Sequence, residues 1–141
     1  MEAAFIEYEL TVAAEPTTIV SGCAHGVDSL WAETAAIRYP NALIRLIIPA
    51  APHNSDLVHF MRHNHRQRLE ILQMPEARNN PDAYMQRNDQ VQHEADVLQA
   101  FPIQPTEAVR SGTWATIRRF RKAGKMRYIL PCVAGAVGYW E

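Results

Sequence analysis

Thr17-Thr18-Ile19-Val20-Ser21-Gly22-Cys23-Ala24-His25-Gly26-Val27-Asp28 is the stretch that decides the fold. Its first four residues are all β-branched, which suits a short buried strand, and Ser21-Gly22 supplies the turn that ends it. From Val27 to Arg38, Leu30, Trp31, Thr34, Ala35 and Ile37 recur at helical spacing, and Pro40 stops the run. A strand that passes through a glycine loop into a helix is the first half of a strand-helix-strand unit. Leu43-Ile44-Arg45-Leu46-Ile47-Ile48 supplies the second half, a nearly continuous apolar strand closed by Pro49.

The same alternation continues in the C-terminal direction. Residues 55–66 read as a helix with Leu57, Val58, Phe60 and Met61 as apolar members, and Leu69 to Met74 as a strand. Residues 75–82 (PEARNNPD) have loop composition, 83–93 read as a helix, and Ala95 to Phe101 as a strand closed by Pro102. Ser111 is placed to cap a helix that runs to about Ala123 and ends at Gly124, followed by a strand at 126–130 and a tail that can add an edge strand. In the N-terminal direction, Phe5, Ile6, Glu9 and Leu10 predict an amphipathic helix over 2–14, stopped before Pro16. Strict alternation with apolar strands predicts one α/β domain over residues 1–141, a doubly wound, mostly parallel sheet with helices on both faces.

The chain has 141 residues, 48% hydrophobic and 21% charged, the balance of an ordinary globular domain with a real core. Net charge is −1, which argues against a general nucleic-acid coat. No apolar run approaches the ~20 residues of a membrane helix. The N-terminus MEAAFIEYEL is acidic and mixed, unlike a signal peptide. Cys23 and Cys132 are far apart and lack metal-ligand spacing, so a reducing, cytoplasmic setting with free thiols is expected, with no metal and no cofactor.

Ligands of open parallel sheets bind beyond the carboxyl ends of the strands. Two loops stand there. Ser21-Gly22-Cys23-Ala24-His25-Gly26-Val27-Asp28 offers close backbone approach and the free N–H groups of a helix start, which favour an anion; the bland alternative is a tight turn with no ligand. Arg110-Ser111-Gly112-Thr113-Trp114-Ala115-Thr116 repeats the arrangement with two hydroxyls, the alternative being an ordinary N-cap. Two such loops on one sheet edge favour a phosphate site.

These residues together resemble a known group. SGCAHGVD is similar to the SGGARGID-type loop of the DNA-processing protein A family, and RSGTWATI resembles the SGT-type loop of the same SLOG superfamily of Rossmann-like nucleotide binders. Met74-Pro75, Tyr84-Met85-Gln86-Arg87-Asn88 and Ala95-Asp96 match the spacing between those loops, so the resemblance spans about residues 17–131. It implies a Rossmann-like fold and a nucleotide or nucleotide-derived phosphorylated ligand. Ser21, Gly22, Gly26, Ser111, Gly112 and Thr113 would cradle phosphate, with Cys23 in the same loop, and Arg87 and Asn88 would reach the ligand from the adjoining helix. Asp28 would hold a ribose hydroxyl or cap its helix. The family usually begins with a further strand and phosphate-contacting loop, which this sequence does not show. The expectation is therefore a fold without the usual first strand and, to cover the exposed edge, a homodimer. The carboxylate that the phosphoribohydrolase branch carries after its Gly-Thr pair is also missing here, which leaves catalysis open.

Two other classes stay in view. Arg118, Arg119, Arg121 and Lys122, with Trp114, could form a strip for single-stranded nucleic acid, against a plain exposed helix face. A nucleotide N-glycosidic hydrolase would need Asp28, Glu94 or Asp96 as its acid. His59 and His63 share a helix face at i, i+4, but a solvated polar face is the default over a zinc site. Cys23 with His25 would make a nucleophile only if the helix start stabilised the thiolate.

Overall fold

The computed structural model describes residues 15–141; the helix expected over 2–14 lies outside the described residues. Strand β1 (Thr18–Ser21) leads through the first glycine loop into helix α1 (Val27–Arg38). Then come β2 (Leu43–Ile48), α2 (Ser55–Asn64), a 3-10 turn (Arg66–Arg68) and β3 (Leu69–Gln73). The second half holds α3 (Asn80–Glu94), β4 (Val97–Ala100), α4 (Gly112–Lys122), β5 (Met126–Ile129) and the two-residue β6 (Tyr139–Trp140). The strand expected over 69–74 and the edge strand expected in the tail are both present.

Local chemistry sets the boundaries. Asn54, Asn79 and Ser111 each accept a hydrogen bond from a first-turn amide, of Leu57, Asp82 and Trp114, and so start α2, α3 and α4. Asn79 also explains why α3 begins earlier than the loop composition of 75–82 suggests. Pro81 sits at the first helical turn, where its missing N–H costs nothing. Gly124 adopts φ 71°, a left-handed conformation that ends α4. Tyr39, directly before Pro40, leaves helical geometry and ends α1. α1 is braced there by Arg68, whose guanidinium donates to the carbonyls of Tyr39 at 2.7 Å and Ala42 at 2.9 Å, and also to Ala36. That single side chain covers carbonyls that the helix end leaves open.

The sheet differs from the single continuous one expected. β1, β2 and β3 form one three-stranded parallel sheet in the order β1-β2-β3. β4 and β5 pair in parallel and β6 joins β5 antiparallel, giving a second three-stranded sheet. Among the described residues no backbone ladder joins β1 to β4. Side chains bridge the seam instead. α1 lays Ala32, Ala35 and Ala36 on the first sheet, and Val27 and Trp31 against Phe101 and Tyr128 of the second. Trp31 Nε1 also donates to the Gln99 side chain in β4. On the opposite face α3 runs across β1 and β2 and packs on α4. α4 covers Ala100 and Ile129 with Trp114 and Ile117. Helices therefore lie on both faces of the strands, in the α/β alternation read from the sequence.

Burial follows from this layering. β2 is the central strand of its sheet, and Ile44, Leu46, Ile47 and Ile48 are buried on both of its faces. Burying a side chain of this size stabilises the fold by roughly 1.5–3 kcal/mol. No helix among the described residues is long and apolar enough to cross a membrane.

Candidate functional site

Val27, at the start of α1, packs with Phe101, at the end of β4, so the carboxyl ends of β1 and β4 lie on one edge. The first glycine loop and the loop before α4 both open there. The first loop is held in a strained shape. Cys23 has φ 58°, a left-handed conformation rare for a residue with a side chain, and Gly26 has φ 88°, which only glycine adopts freely. Such strain persists only where the surroundings over-determine it.

Three elements impose it. From β1, the Ser21 hydroxyl accepts the Cys23 N–H at 3.3 Å. From the loop after β2, the Asn54 N–H donates to the Cys23 carbonyl at 2.8 Å. The Asn54 side chain donates to Ser29 Oγ at 2.7 Å, and Ser29 in turn donates to the Ala24 carbonyl. From α3, Arg87 Nη1 donates to the Gly22 carbonyl at 2.5 Å, while its Nε donates to Asn88 Oδ1 at 2.8 Å. A Cβ on Gly22 would stand 2.5 Å from Arg87 Cδ, so glycine is needed for the arginine to reach the loop. The Tyr84 ring lies under the guanidinium, 5.5 Å away, and its hydroxyl donates to the Pro52 carbonyl.

The electrostatics of this cluster are unusual. Burial pushes the Cys23 thiol up to about 11, with the Arg87 charge opposing. Cys23 is fully buried, so its side chain serves the core and only its backbone faces the loop. The Cys23–His25 nucleophile considered from the sequence is not formed, because the thiol is kept protonated and out of reach. Asp28 keeps solvent contact at the surface of α1, yet protein crowds it closely enough that desolvation raises its pKa, with Arg87 opposing. Burial likewise lowers the Arg87 pKa, with Asp28 the largest of the charges that hold it up.

The structure thus gathers Ser21, Gly22, Cys23, Asp28, Arg87 and Asn88 into one cluster. Arg87 does not pair with Asp89 or Glu94, which engage Arg119 and Arg45. Gly26 is open on its outer side, and α1 starts with no side-chain cap, unlike α2, α3 and α4. The amides of its first turn are therefore open to an external acceptor. Asp28 does not cap the helix. Ser111, Gly112 and Thr113 stand on the same edge. There the Ser111 hydroxyl is taken by Trp114 N–H at 3.2 Å, Gly112 is exposed and Thr113 is half-buried. Asn54, Ser29 and Tyr84 were not anticipated as part of this site. Asn54 had a signal, an Asn directly before an amphipathic helix, but its second role in holding the neighbouring loop has no signature in sequence.

A shallow recess of about 590 Å³ occupies the opposite end of the first sheet, lined by Thr18, Val20, Leu43, Arg45 and the last turn of α3. It surrounds Arg45, which bridges Glu70 at 2.8 Å and Glu94 at 2.6 Å. Among the described residues no group of three or more His, Cys, Asp or Glu is placed to hold a metal ion.

Comparisons with protein-family models, with curated proteins and with solved structures return no match for this chain. What the fold and the site define is an α/β domain with a braced, glycine-containing loop and an uncapped helix start at the carboxyl edge of its strands.

Proposed function

We infer that this edge binds the phosphorylated part of a nucleotide or nucleotide-derived ligand, in the manner of a Rossmann-like domain. The observation that carries the reading is the start of α1: it is uncapped, preceded by Gly26, and joined to α3 through the Arg87 bond to the Gly22 carbonyl. Backbone amides and helix dipole favour an anion there, and Arg87 adds charge and fixes the loop. Gly112 and Thr113 would close the far side, with Asp28 and Asn88 available to ribose hydroxyls. The resemblance of the two loops to the SLOG superfamily supports the same assignment.

A thermal-shift panel of nucleoside mono- and diphosphates and inorganic phosphate tests it. A member present at 100 times its dissociation constant stabilises the fold by about 2.7 kcal/mol, roughly 5–10 °C in midpoint. Thr113→Val should abolish that rise without lowering the unliganded midpoint. A panel in which no phosphorylated member moves the midpoint would sink the reading.

Asp28 favours a second reading, cleavage of the N-glycosidic bond of such a ligand. A carboxyl group with a raised pKa beside an anion site suits proton transfer to a leaving base. Release of free base would be followed by chromatography, and an Asp28→Asn variant that retains full turnover excludes this role. The strip on α4 gains no comparable support. Arg118 and Arg121 are paired with Glu107, Arg121 also with Glu141, and Arg119 with Asp89.

A further inference from the structure

The charges of this protein are unevenly divided. Residues 1–16 contain Glu2, Glu7, Glu9 and Glu15 and no Lys, Arg or His, which leaves 11 acidic against 14 basic residues in the rest of the chain. Within the described residues most arginines are engaged. Arg45, Arg78, Arg118, Arg119, Arg121 and Arg127 hold carboxylates. Arg68 serves carbonyls and Arg87 the first loop.

Exposed cations with no ion pair among the described residues remain at Arg62, Arg66, Arg110 and Lys122, and the first two lie close together in the chain. α2 buries Leu57, Val58 and Met61, and its outer side carries His59, Arg62 and His63, all exposed. The exposed Arg66 follows in the next turn. Neither Arg62 nor Arg66 makes an ion pair among the described residues, and the nearby Asp56 makes none either.

The acidic segment enters the fold close to this face. The Leu43 N–H donates to the Thr17 carbonyl at 2.9 Å, and Ala42, beside Leu43, accepts from Arg68 at 2.9 Å. Arg66 is two residues from Arg68. The 14 residues before Glu15 can span up to roughly 45–50 Å when extended, well beyond what this short path requires.

We propose that the basic outer face of α2, centred on Arg62 and Arg66, is the docking surface for the acidic N-terminal segment of the same chain. The contact is electrostatic and peripheral to the loops at the opposite end of α2. It is also independent of the ligand reading. Exposed pairs are individually weak, so the segment docks and releases with salt rather than locking in place.

Glu-specific proteolysis of the full chain tests this, with cleavage after Glu7 and Glu9 followed by mass spectrometry and a synthetic peptide of residues 1–16 as the control substrate. Cleavage should be about tenfold slower, relative to the peptide, at about 20 mM salt than at about 500 mM, equivalent to ~1.4 kcal/mol of docking free energy. The double variant R62E/R66E should cleave at the unprotected rate at both salt levels while keeping the parent thermal midpoint, since both side chains point to solvent. Protection that survives in R62E/R66E, or that does not respond to salt, overturns the proposal. Protection that fades on dilution, with a dimer in sedimentation, places the segment on a second copy and overturns the intramolecular form.

Discussion

Gly22 and Arg87 provide a direct measure of how the first loop is held. Replacing Gly22 by Ala puts a Cβ 2.5 Å from Arg87 Cδ, 3.0 Å from Nε and 3.3 Å from Nη1. Carbon atoms in ordinary contact stay about 3.5–4.0 Å apart, so the guanidinium has to move by about 1 Å or more. That displacement breaks the 2.5 Å bond from Nη1 to the Gly22 carbonyl. A hydrogen bond to a charged group contributes about 1.5–3 kcal/mol, and G22A should cost that much, roughly 3–12 °C in midpoint. Gly22 itself is not among the residues with positive φ, so its backbone accepts a side chain. In an R87A background the same substitution should therefore cost less than about 0.5 kcal/mol, because nothing remains for the Cβ to displace. Urea unfolding of the parent, both single variants and the double variant yields the coupling. Additive costs, or an equal G22A cost in both backgrounds, would refute the account of Arg87 as the brace of this loop.

Three further outcomes follow from the same geometry. Arg68→Ala should destabilise by about 2–4 kcal/mol in urea unfolding, since it strips the carbonyls of Ala36, Tyr39 and Ala42 of one shared donor, and Lys at that position should restore little of the loss. His65 Nδ1 lies 3.0 Å from Arg68 Nη2, and because guanidinium only donates, the ring must accept there. Desolvation and the Arg68 charge lower its pKa below 6.5, so the native state binds fewer protons than the unfolded one in that window. The stability tied to neutral His65 is fully present above pH 6.5 and is lost as pH falls through the folded value, and His65→Gln should flatten that part of a stability-against-pH curve. Finally, iodoacetamide at mildly alkaline pH should label exposed Cys132 in the native protein and reach buried Cys23, with its thiol near 11, only after unfolding; native labelling of both would contradict the burial of the loop.

The strands and helices were largely legible because their signals are local. Thr17 to Val20, the apolar run of β2 and Ser111 before α4 each carry their own periodicity or cap. Pro81 misled because proline is read as a loop residue, although in the first turn it favours a helix. The division of the sheet was not legible: which strands share a ladder depends on tertiary placement, and β1 and β4 look alike as sequence. At the site, the glycines, Asp28 and Arg87 were visible as residue types, and the partners of Arg87 were not. Asp89 and Glu94 are its acidic neighbours in the sequence, whereas the side chain turns across to a carbonyl on another element. The strained φ of Cys23 had no precursor in the sequence either, since it is imposed by Asn54, Ser21 and Arg87 together.

The seam between β1 and β4 has a mechanical consequence. In an unbroken sheet, the distance between two neighbouring strand ends is fixed by backbone geometry at about 4.8 Å and no substitution can alter it. Here the two loops at the carboxyl edge belong to separate sheets joined by the Trp31–Gln99 contact, by Val27 against Phe101, and by α3 resting on α4. The width of the opening is thus written in side chains. A change at Trp31 or Gln99, neither of which lies in a loop, would reset the spacing between the two loops and with it the size of molecule that can bridge them.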